Sequence, residues 1–134
     1  MIESRIRVRY SETDQMGIAY HANHLVWFEV GRSEFCRAAG VPYTRMEESG
    51  FSLVVAEVGC RYLRPARYDQ EVVVRTRLKD LHRRSVRFEY ELAEENGGEV
   101  LARGHTRHLV LDRDGRPASM PAEWVEALRR LSDP

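Results

Sequence analysis

Residues 10–32, which read YSETDQMGIAYHANHLVWFEVGR, decide how the rest of this chain is organised. An alternating strand pattern ends at Tyr10, and a polar loop follows it. The loop presents the carboxylate of Asp14 shortly before Gly17, and the segment YHAN at 20–23 leads into a helix that we expect to open at about Asn23. The sequence therefore places an acidic side chain close to a helix start.

The start of a helix is chemically useful because its first backbone N–H groups have no partner inside the helix. These groups carry a partial positive charge, which stabilises a carbonyl oxygen that is becoming an oxyanion. An acidic side chain beside the same carbonyl supplies a base or a nucleophile, and the pair suits acyl transfer to water. A simpler interpretation is that Thr13 and Asp14 form an Asx-type turn and that Asn23 only caps the helix. Spacing alone favours this simpler interpretation.

Length and composition exclude several classes of protein. The 134 residues fit one domain, 1–134, and 43% of them are hydrophobic, which is enough for a core. No apolar run approaches the ~20 residues of a membrane span, and the first residues lack the apolar region of a signal peptide. Cys36 and Cys60 show neither metal spacing nor a disulfide framework. We therefore expect a soluble, cytoplasmic protein.

The charge distribution argues against nucleic acid but leaves room for phosphate. The formal net charge is +0, so no global field attracts a polyanion. Of the 21 basic residues only Lys79 is lysine, and arginine binds phosphate bidentately. The arginines that flank a strand end or a hairpin are candidate phosphate ligands, although any one of them is more simply a solvated surface charge: Arg61, Arg64, Arg67, Arg83 and Arg84.

Hydrophobic periodicity predicts one long helix early in the chain. From Leu25 the apolar residues recur every three or four positions up to Ala39, and few positions between them are polar, so the helix should be largely buried. Gly40 and Pro42 end it, and Pro42 starts a short helix that runs to about Glu48.

Period-two alternation predicts five strands. The second should keep Val54, Ala56, Val58, Cys60 and Tyr62 on one face, and the last is mixed on both faces, which suits an interior position. Asn96-Gly97-Gly98 predicts a hairpin, and Pro121 opens a terminal helix. The strand patterns cover 2–10, 52–63, 71–79, 86–92 and 99–112.

Together these elements predict an α+β protein in which one antiparallel sheet is covered by the long helix. Alternation on one face of each strand requires a cover for that face, and only the helix at 23–39 is apolar enough. A sheet curled around one long helix is the hot-dog fold. A ferredoxin-like βαββαβ arrangement fits less well, because no second long helix interrupts the strands.

Three motifs in order resemble the signature of the 4-hydroxybenzoyl-CoA thioesterase family, closest to the acyl-CoA thioesterase branch associated with the Tol–Pal gene cluster. They are RVRYSETDQMG at 7–17, YHAN at 20–23 and WFEVGR at 27–32. The resemblance implies a hot-dog hydrolase that splits an acyl-CoA thioester into a free acid and CoA. It implies no metal or redox cofactor, since coenzyme A is part of the substrate.

The resemblance also assigns roles to residues. Asp14 matches the catalytic aspartate, as base or nucleophile, and the backbone N–H of His21 would face the thioester oxygen. Tyr20 and Asn23 would shape and cap the turn. Gly17 and Asn23, with Arg61, Arg64 and Arg83, are then the expected substrate contacts. The family forms homodimers, often paired into tetramers, with acyl-CoA at the dimer interface.

Two positions complicate this picture. His24 stands where many relatives carry an aromatic residue, usually tyrosine, so the acyl pocket or the packing beneath it should differ. Glu29 lies on the helix that carries the carboxylate of other hot-dog thioesterases, which makes it an alternative catalyst. Its spacing from Arg32 suits an ion pair on one helix face, and we favour that structural role.

Other chemistries have weaker support. His21 and His24 are spaced as H-x-x-H, but no glutamate follows the first, so the zinc-protease pattern fails. His105 and His108 would point to opposite faces of one strand, and no serine lies in a G-x-S-x-G elbow. The alternatives that stay open are a hot-dog enoyl-thioester hydratase and a non-catalytic module that binds acyl-CoA.

Overall fold

An antiparallel sheet with one long helix across it forms the body of the protein. The computed structural model describes residues 1–96 and 98–133. In this part of the chain the elements are β1 (Ile2–Arg7), a short 3₁₀ turn (Tyr10–Glu12), α1 (Asn23–Ala38), α2 (Tyr43–Glu48), β2 (Ser52–Tyr62), β3 (Glu71–Leu81), β4 (Ser85–Glu94), β5 (Val100–Leu111) and α3 (Ala122–Leu131).

The five strands lie in the order β1-β3-β4-β5-β2, and every neighbouring pair is antiparallel. The predicted strands and the helix inserted after the first are confirmed, and β5 takes the interior position that its mixed faces indicated. Aromatic rings join the helix to the sheet. Phe28 stacks on Tyr90 with ring centres 4.5 Å apart, and Phe35 meets Phe88 edge-on at 5.6 Å. No helix among the described residues is long and apolar enough to cross a membrane.

Helix α1 is buried on one side only, so the expectation of a largely buried helix is wrong. The sheet covers Trp27, Phe28 and Phe35, whose side chains are at most 1% exposed. On the opposite side Val26 and Val30 are 50% and 39% exposed. The sequence has apolar residues on all sides of this helix, but a single sheet can pack against only one side of it. The open side is therefore left without a cover in the single chain.

The predicted first strand is too long. It was expected to reach Tyr10, but β1 ends at Arg7, and Tyr10 is 77% exposed. The N–H of Glu12 donates to the carbonyl of Arg9 at 3.0 Å, which closes a tight turn in place of the strand's end. Alternation alone does not distinguish a strand from a turn whose residues happen to keep the same period.

Strand β2 contains a bulge that divides its predicted apolar face. The register against β5 shifts between Val55 and Glu57. Before the shift Val54 pairs with Leu109, and after it Val58 pairs with Thr106, so Val54 and Val58 point to opposite faces of the sheet. An extra residue in a strand moves all later side chains to the other face. The prediction of one shared face is therefore wrong across the bulge for the residues Val54, Ala56, Val58, Cys60 and Tyr62.

The turns follow their sequence signals. Gly40 has a φ of 85° just past α1, and Pro42 precedes α2, as predicted. Strands β4 and β5 pair as a hairpin at the segment 96–98. Gly97 of that segment lies outside the described residues, whereas Gly98 has a φ of 66°.

Helix α1 approaches the sheet closely where Gly31 faces β3. A Cβ atom built on Gly31 would lie 2.9 Å from Cγ1 of Val74 and would also collide with Oγ1 of Thr76. Both neighbours are fully buried. The helix therefore rests against the sheet at a point where only glycine fits.

We predict that Gly31→Ala destabilises the fold by about 1–3 kcal/mol through overpacking. At an exposed helix position the same change would stabilise by up to ~1 kcal/mol, so the sign of the effect is diagnostic. Urea unfolding of both proteins measures it, and Ser33→Ala on the same helix should stay within about 0.5 kcal/mol of wild type. An alanine variant as stable as wild type would show that the helix is free to shift.

Candidate functional site

The loop between the 3₁₀ turn and α1 is a small hairpin. The N–H of Asp14 donates to the carbonyl of Ile18 at 2.9 Å, and Thr13 bridges to Ala19. The N–H of Gly17 donates to the carbonyl of Asp14 at 3.0 Å, and the φ of Gly17 is 78°, which suits glycine. Asp14 thus lies on the first arm of the hairpin, and the second arm leads directly into the start of α1.

The carboxylate of Asp14 is half-buried and only partly engaged. Its Oδ1 accepts a hydrogen bond from the N–H of Met16 at 2.8 Å, which is the Asx-type turn of the simpler interpretation. Its Oδ2 accepts no hydrogen bond from the described residues. One oxygen therefore holds the loop, while the other remains available to a water molecule or an acyl carbon.

The start of α1 has no side-chain cap. The cap position is Ala22, and the predicted cap, Asn23, is the first helical residue. The side chain of Asn23 instead donates from Nδ2 to the carbonyl of Glu12 at 2.8 Å. Within residues 1–96 and 98–133 the N–H of His21 donates no hydrogen bond. The amide expected to face the thioester oxygen is therefore open to a ligand.

Glu12 braces this hairpin against the helix, a role that sequence reasoning missed. Its side chain is 7% exposed. Oε1 accepts from the N–H of Arg9 at 2.8 Å, and Oε2 accepts from the indole N–H of Trp27 at 2.9 Å. Its backbone carbonyl accepts from the N–H of Tyr20 at 2.8 Å, as well as from Asn23. One residue thus fixes the first arm, the second arm and α1 together.

The hydrogen bonds to the carboxylate of Glu12 also affect its pKa. Burial alone would raise the pKa of its carboxyl, but the hydrogen bonds from Arg9 and Trp27 outweigh burial and hold the pKa below the ordinary value of 4.5. Glu12 is therefore a buried carboxylate that stays charged because donors surround it.

An apolar cleft of about 350 Å³ opens beside the helix start. Ile18 of the loop and Leu63, just beyond β2, form apolar walls, and the polar residues that line it are His21, His24, Tyr62 and Arg64. Sequence reasoning missed Tyr62, whose hydroxyl donates to the carbonyl of His21 at 2.7 Å. The end of β2 is thereby tied to the peptide group next to the open amide.

His24 lies at the inner end of the cleft. It is 3% exposed, and its ring packs edge-on against Tyr62 at 4.8 Å and at a tilt of 44° against Trp27 at 5.0 Å. Burial lowers the pKa of His24, and the charge of His21 lowers it further. The backbone carbonyl of His21 raises this pKa and so offsets part of the effect. The imidazole is therefore neutral at pH 7, and its Nδ1 has no hydrogen-bond partner.

The predicted arginines occupy different places. Arg64 lines the cleft, with Nε 2.9 Å from a carboxylate oxygen of Glu99. Arg61 lies on the outer face of β2 and forms no ion pair with the described residues. Arg83 follows β3, where Nη2 lies 3.5 Å from the carbonyl of Met120, and it does not line the cleft. Of these three, the structure brings only Arg64 to the helix start.

The predicted ion pair between Glu29 and Arg32 is absent, so that expectation is wrong. Glu29 is exposed, whereas Arg32 is only 9% exposed and faces the phenol rings of Tyr43 and Tyr90. The two side chains leave α1 toward opposite sides, one toward solvent and one toward the sheet. Glu29 also lies outside the set of residues that line the cleft.

A second hollow, of about 330 Å³, lies on the outer face of the sheet. Its arginines already have partners: Arg87 lies 3.6 Å from Glu89, and Arg103 lies 3.4 Å from Glu91. No group of three or more His, Cys, Asp or Glu side chains in the described part of the chain is arranged to hold a metal ion. The cleft at the helix start remains the better candidate for chemistry.

We predict that Glu12→Gln lowers the free energy of unfolding by about 1–3 kcal/mol at about pH 7. The glutamine side chain would place its NH₂ group against the N–H of Arg9 or of Trp27, so two donors would face each other. The wild-type advantage is present above the ordinary pKa and is lost as the pH falls through the lowered folded pKa. Urea unfolding from about pH 7 to about pH 3 should show the two proteins converging. Glu34→Gln, an exposed change on α1, is the control, and a gap that stays constant with pH would contradict the prediction.

Known proteins resemble the chain over nearly its whole length. The Thioesterase-like superfamily matches residues 8–128. Acyl-CoA thioesterase YbgC of Haemophilus influenzae is 32% identical over 128 residues, which cover 94% of this chain and 93% of that protein. The structure of hypothetical protein TT1821 from Thermus thermophilus is 42% identical with a TM-score of 0.92, covering 96% of this chain and 98% of that one. DHNA-CoA thioesterase of Staphylococcus aureus is 30% identical with a TM-score of 0.90, covering 96% and 88%.

These similarities confirm the hot-dog architecture and the resemblance inferred from the three motifs. Placement in the Tol–Pal-associated branch stays a prediction. An open helix-start amide, a loop carboxylate and an apolar cleft are thus set on a fold that is shared over almost all of its length, and the chain belongs to the Thioesterase-like superfamily.

Proposed function

We propose that the protein is an acyl-CoA thioesterase that hydrolyses an acyl-CoA to a free acid and coenzyme A. The observation that carries the proposal is the hairpin at 12–21, which holds a partly free carboxylate on one arm and leads into an open amide on the other. The apolar cleft beside that amide suits an acyl group. The relationship to an acyl-CoA thioesterase of Haemophilus influenzae supports the same activity.

In the proposed reaction the thioester oxygen accepts a hydrogen bond from the N–H of His21. The positive end of α1 then stabilises the negative charge that develops on this oxygen. Tyr20 lies beside His21, with ring centres 4.4 Å apart, and helps to shape the turn that presents the amide.

Asp14 supplies the other half of the chemistry. As a base it removes a proton from water, the resulting hydroxide adds to the acyl carbon, and the C–S bond breaks with its electron pair on sulfur. As a nucleophile it forms an acyl anhydride, which water then opens. The CoA thiolate leaves without a protonated acid beside it, because thiol pKa values are about 8.5. The reaction needs no metal or redox cofactor.

The nucleotide end of CoA requires cations. Arg64 at the cleft and Arg61, three positions earlier on the outer face of β2, are the proposed ligands for its phosphates, since guanidinium groups bind phosphate in a bidentate way. Asn23 is the first residue of α1 and Gly17 lies in the hairpin turn after Asp14, and neither lines the cleft. Arg83 is distant from this cleft within one chain, so a role for it would require a second subunit.

A second copy of the chain is also proposed as a partner. Edge strand β2 leaves one row of backbone groups unpaired, and apolar side chains stand out on both of its faces. Val54, Val55 and Val58 are 41–44% exposed, and Tyr62 and Leu63 are 45% exposed. Antiparallel pairing of two β2 strands would give a homodimer with one continuous sheet. The exposed side of α1, with Val26 and Val30, would then join two dimers into a tetramer.

We also propose a cytoplasmic location. Cys36 and Cys60 are both free thiols, which fits a reducing compartment.

We predict that Asp14→Asn lowers kcat by about 10²–10⁴-fold, the usual contribution of a positioned base, while the fold is kept. The asparagine side chain still offers an oxygen to the N–H of Met16, so the loop should hold its shape. A thiol-trapping chromogenic reagent follows CoA release across short, long and aromatic acyl-CoAs.

Asp114→Asn, in an exposed turn, is the matched control and should keep wild-type turnover. Full activity in Asp14→Asn would remove Asp14 from the mechanism. Loss of enoyl absorbance without thiol release would favour a hydratase, and tight binding without either signal would favour a binding module.

We predict that Val58→Lys, which places a charge in the exposed edge, converts the assembly to monomers and lowers activity. Light scattering coupled to size-exclusion chromatography measures the mass, with Glu3→Lys on the other sheet edge as the control. A variant that stays dimeric would move the interface away from β2.

A further inference from the structure

The two peptide groups that meet at His21 are each held at the carbonyl oxygen. The carbonyl of Tyr20, which shares a planar peptide group with the open N–H of His21, accepts a hydrogen bond from the N–H of Asn23 at 2.9 Å. The carbonyl of His21, in the next peptide group, accepts a hydrogen bond from the hydroxyl of Tyr62 at 2.7 Å. The backbone dihedrals of His21, and with them the direction of its N–H, are therefore set between these two bonds.

Tyr62 is the anchor of this segment to the rest of the protein. Residues 21–22 join the hairpin to α1, and both are exposed. The carbonyl of His21 also accepts from the N–H of His24, but at 3.4 Å. In the described part of the chain, Tyr62 is the one residue outside the segment 20–25 that hydrogen-bonds to either residue. An exposed segment with so few contacts opens easily, so the bond from β2 has a large share in fixing it.

The phenol of Tyr62 is suited to hold a carbonyl and not to transfer a proton. Its ring lines the cleft and packs against the ring of His24 at 4.8 Å and 79°. Burial first, and then the thiol of Cys60, raise the pKa of Tyr62 to about 12. The hydroxyl therefore stays protonated at neutral pH and remains a donor to the His21 carbonyl.

We propose that Tyr62 is a positioning residue whose hydroxyl holds the His21 peptide so that its open N–H meets the carbonyl oxygen of the bound thioester. The inference rests on the proposed function, because that amide is the proposed donor to the thioester oxygen. Tyr62 acts through the backbone of His21. Donors stabilise an oxyanion only from the right position, and a displacement of about 1 Å can cost ~10²-fold in rate.

The first test is Tyr62→Phe, which removes the hydroxyl and keeps the ring against His24. We expect kcat to fall by about 10–100-fold while KM stays within about 3-fold of wild type, because the acyl and CoA contacts are retained. A thiol-trapping reagent measures both on the best substrate among short, long and aromatic acyl-CoAs. Tyr68→Phe is the matched control, since Tyr68 is 56% exposed and lies outside the cleft, and it should keep wild-type values. A higher KM with unchanged kcat would overturn the inference.

The second test separates the donor from the ring. Replacing Tyr62 with 4-aminophenylalanine keeps an N–H donor at the same ring position and should restore most of the lost kcat. A loss as large as that of Tyr62→Phe would overturn the inference. The pH profile of kcat/KM should keep its shape in Tyr62→Phe, whereas a lost alkaline limb would show that the hydroxyl transfers a proton and would also overturn it. Circular dichroism and light scattering check the fold and the mass of each variant.

Infrared difference spectroscopy observes the hydrogen bond to the thioester itself. Butyryl-CoA labelled with carbon-13 at the carbonyl is bound to Asp14→Asn, which slows hydrolysis, with and without Tyr62→Phe. We expect the carbonyl band to lie below its frequency in the free substrate, and Tyr62→Phe to move it back toward that frequency. An unshifted band, or a shift that Tyr62→Phe leaves unchanged, would overturn the inference. If the wild type releases no thiol from any acyl-CoA, the proposed function fails, and the same spectra recorded in the wild-type background still decide between these outcomes.

Discussion

The structure depends on one buried carboxylate, that of Glu12. Its side chain joins the 3₁₀ turn to the indole of Trp27, and its carbonyl joins the two arms of the hairpin and the first residue of α1. A charged group in this position is costly to bury, and the donors around it offset that cost. The donors to the carboxylate come from Arg9 and from Trp27 of α1, so it is satisfied only when the turn and the helix are both in place. The carbonyl of the same residue adds the second arm of the hairpin through Tyr20. The loop that carries Asp14 is therefore held as firmly as the helix on which it rests.

The start of α1, by contrast, has no side chain that caps it. A helix usually begins with a side chain that accepts one of its free N–H groups, and the position here is alanine. Asn23, which has the right chemistry to cap, is directed back to the carbonyl of Glu12 instead. The first helical amides donate to backbone carbonyls instead, with the N–H of Asn23 2.9 Å from the carbonyl of Tyr20 and the N–H of Leu25 3.1 Å from that of Ala22. The N–H of His21, just before the helix, donates to none of the described residues. This open amide therefore lies in the turn that leads into α1, next to the peptide carbonyl that Tyr62 holds.

Sequence reasoning correctly predicted the features that depend on local residue patterns. It failed for features that depend on how distant residues pack together. Strand alternation and the apolar run from Leu25 predicted the order of the elements, and the loop motif located the helix start. The bulge in β2 was missed because it inserts a residue without breaking the apolar composition of the strand. The partner of Arg32 was missed because spacing along the helix suggested Glu29, whereas the guanidinium faces the phenols of Tyr43 and Tyr90. Glu12 was missed because the sequence of a polar loop does not indicate which of its carboxylates is buried.

The two incomplete surfaces of the chain meet at Tyr62. This residue ends β2, the edge strand with unpaired backbone groups, and its hydroxyl holds the carbonyl of His21. In a single chain Tyr62 is 45% exposed, so water competes for that hydrogen bond. A partner strand laid along β2 would exclude the water and strengthen the bond, because hydrogen bonds gain strength when the local dielectric falls. Assembly would then orient the His21 peptide at the same moment as it closes the cleft, which links the oligomer to the chemistry through one side chain.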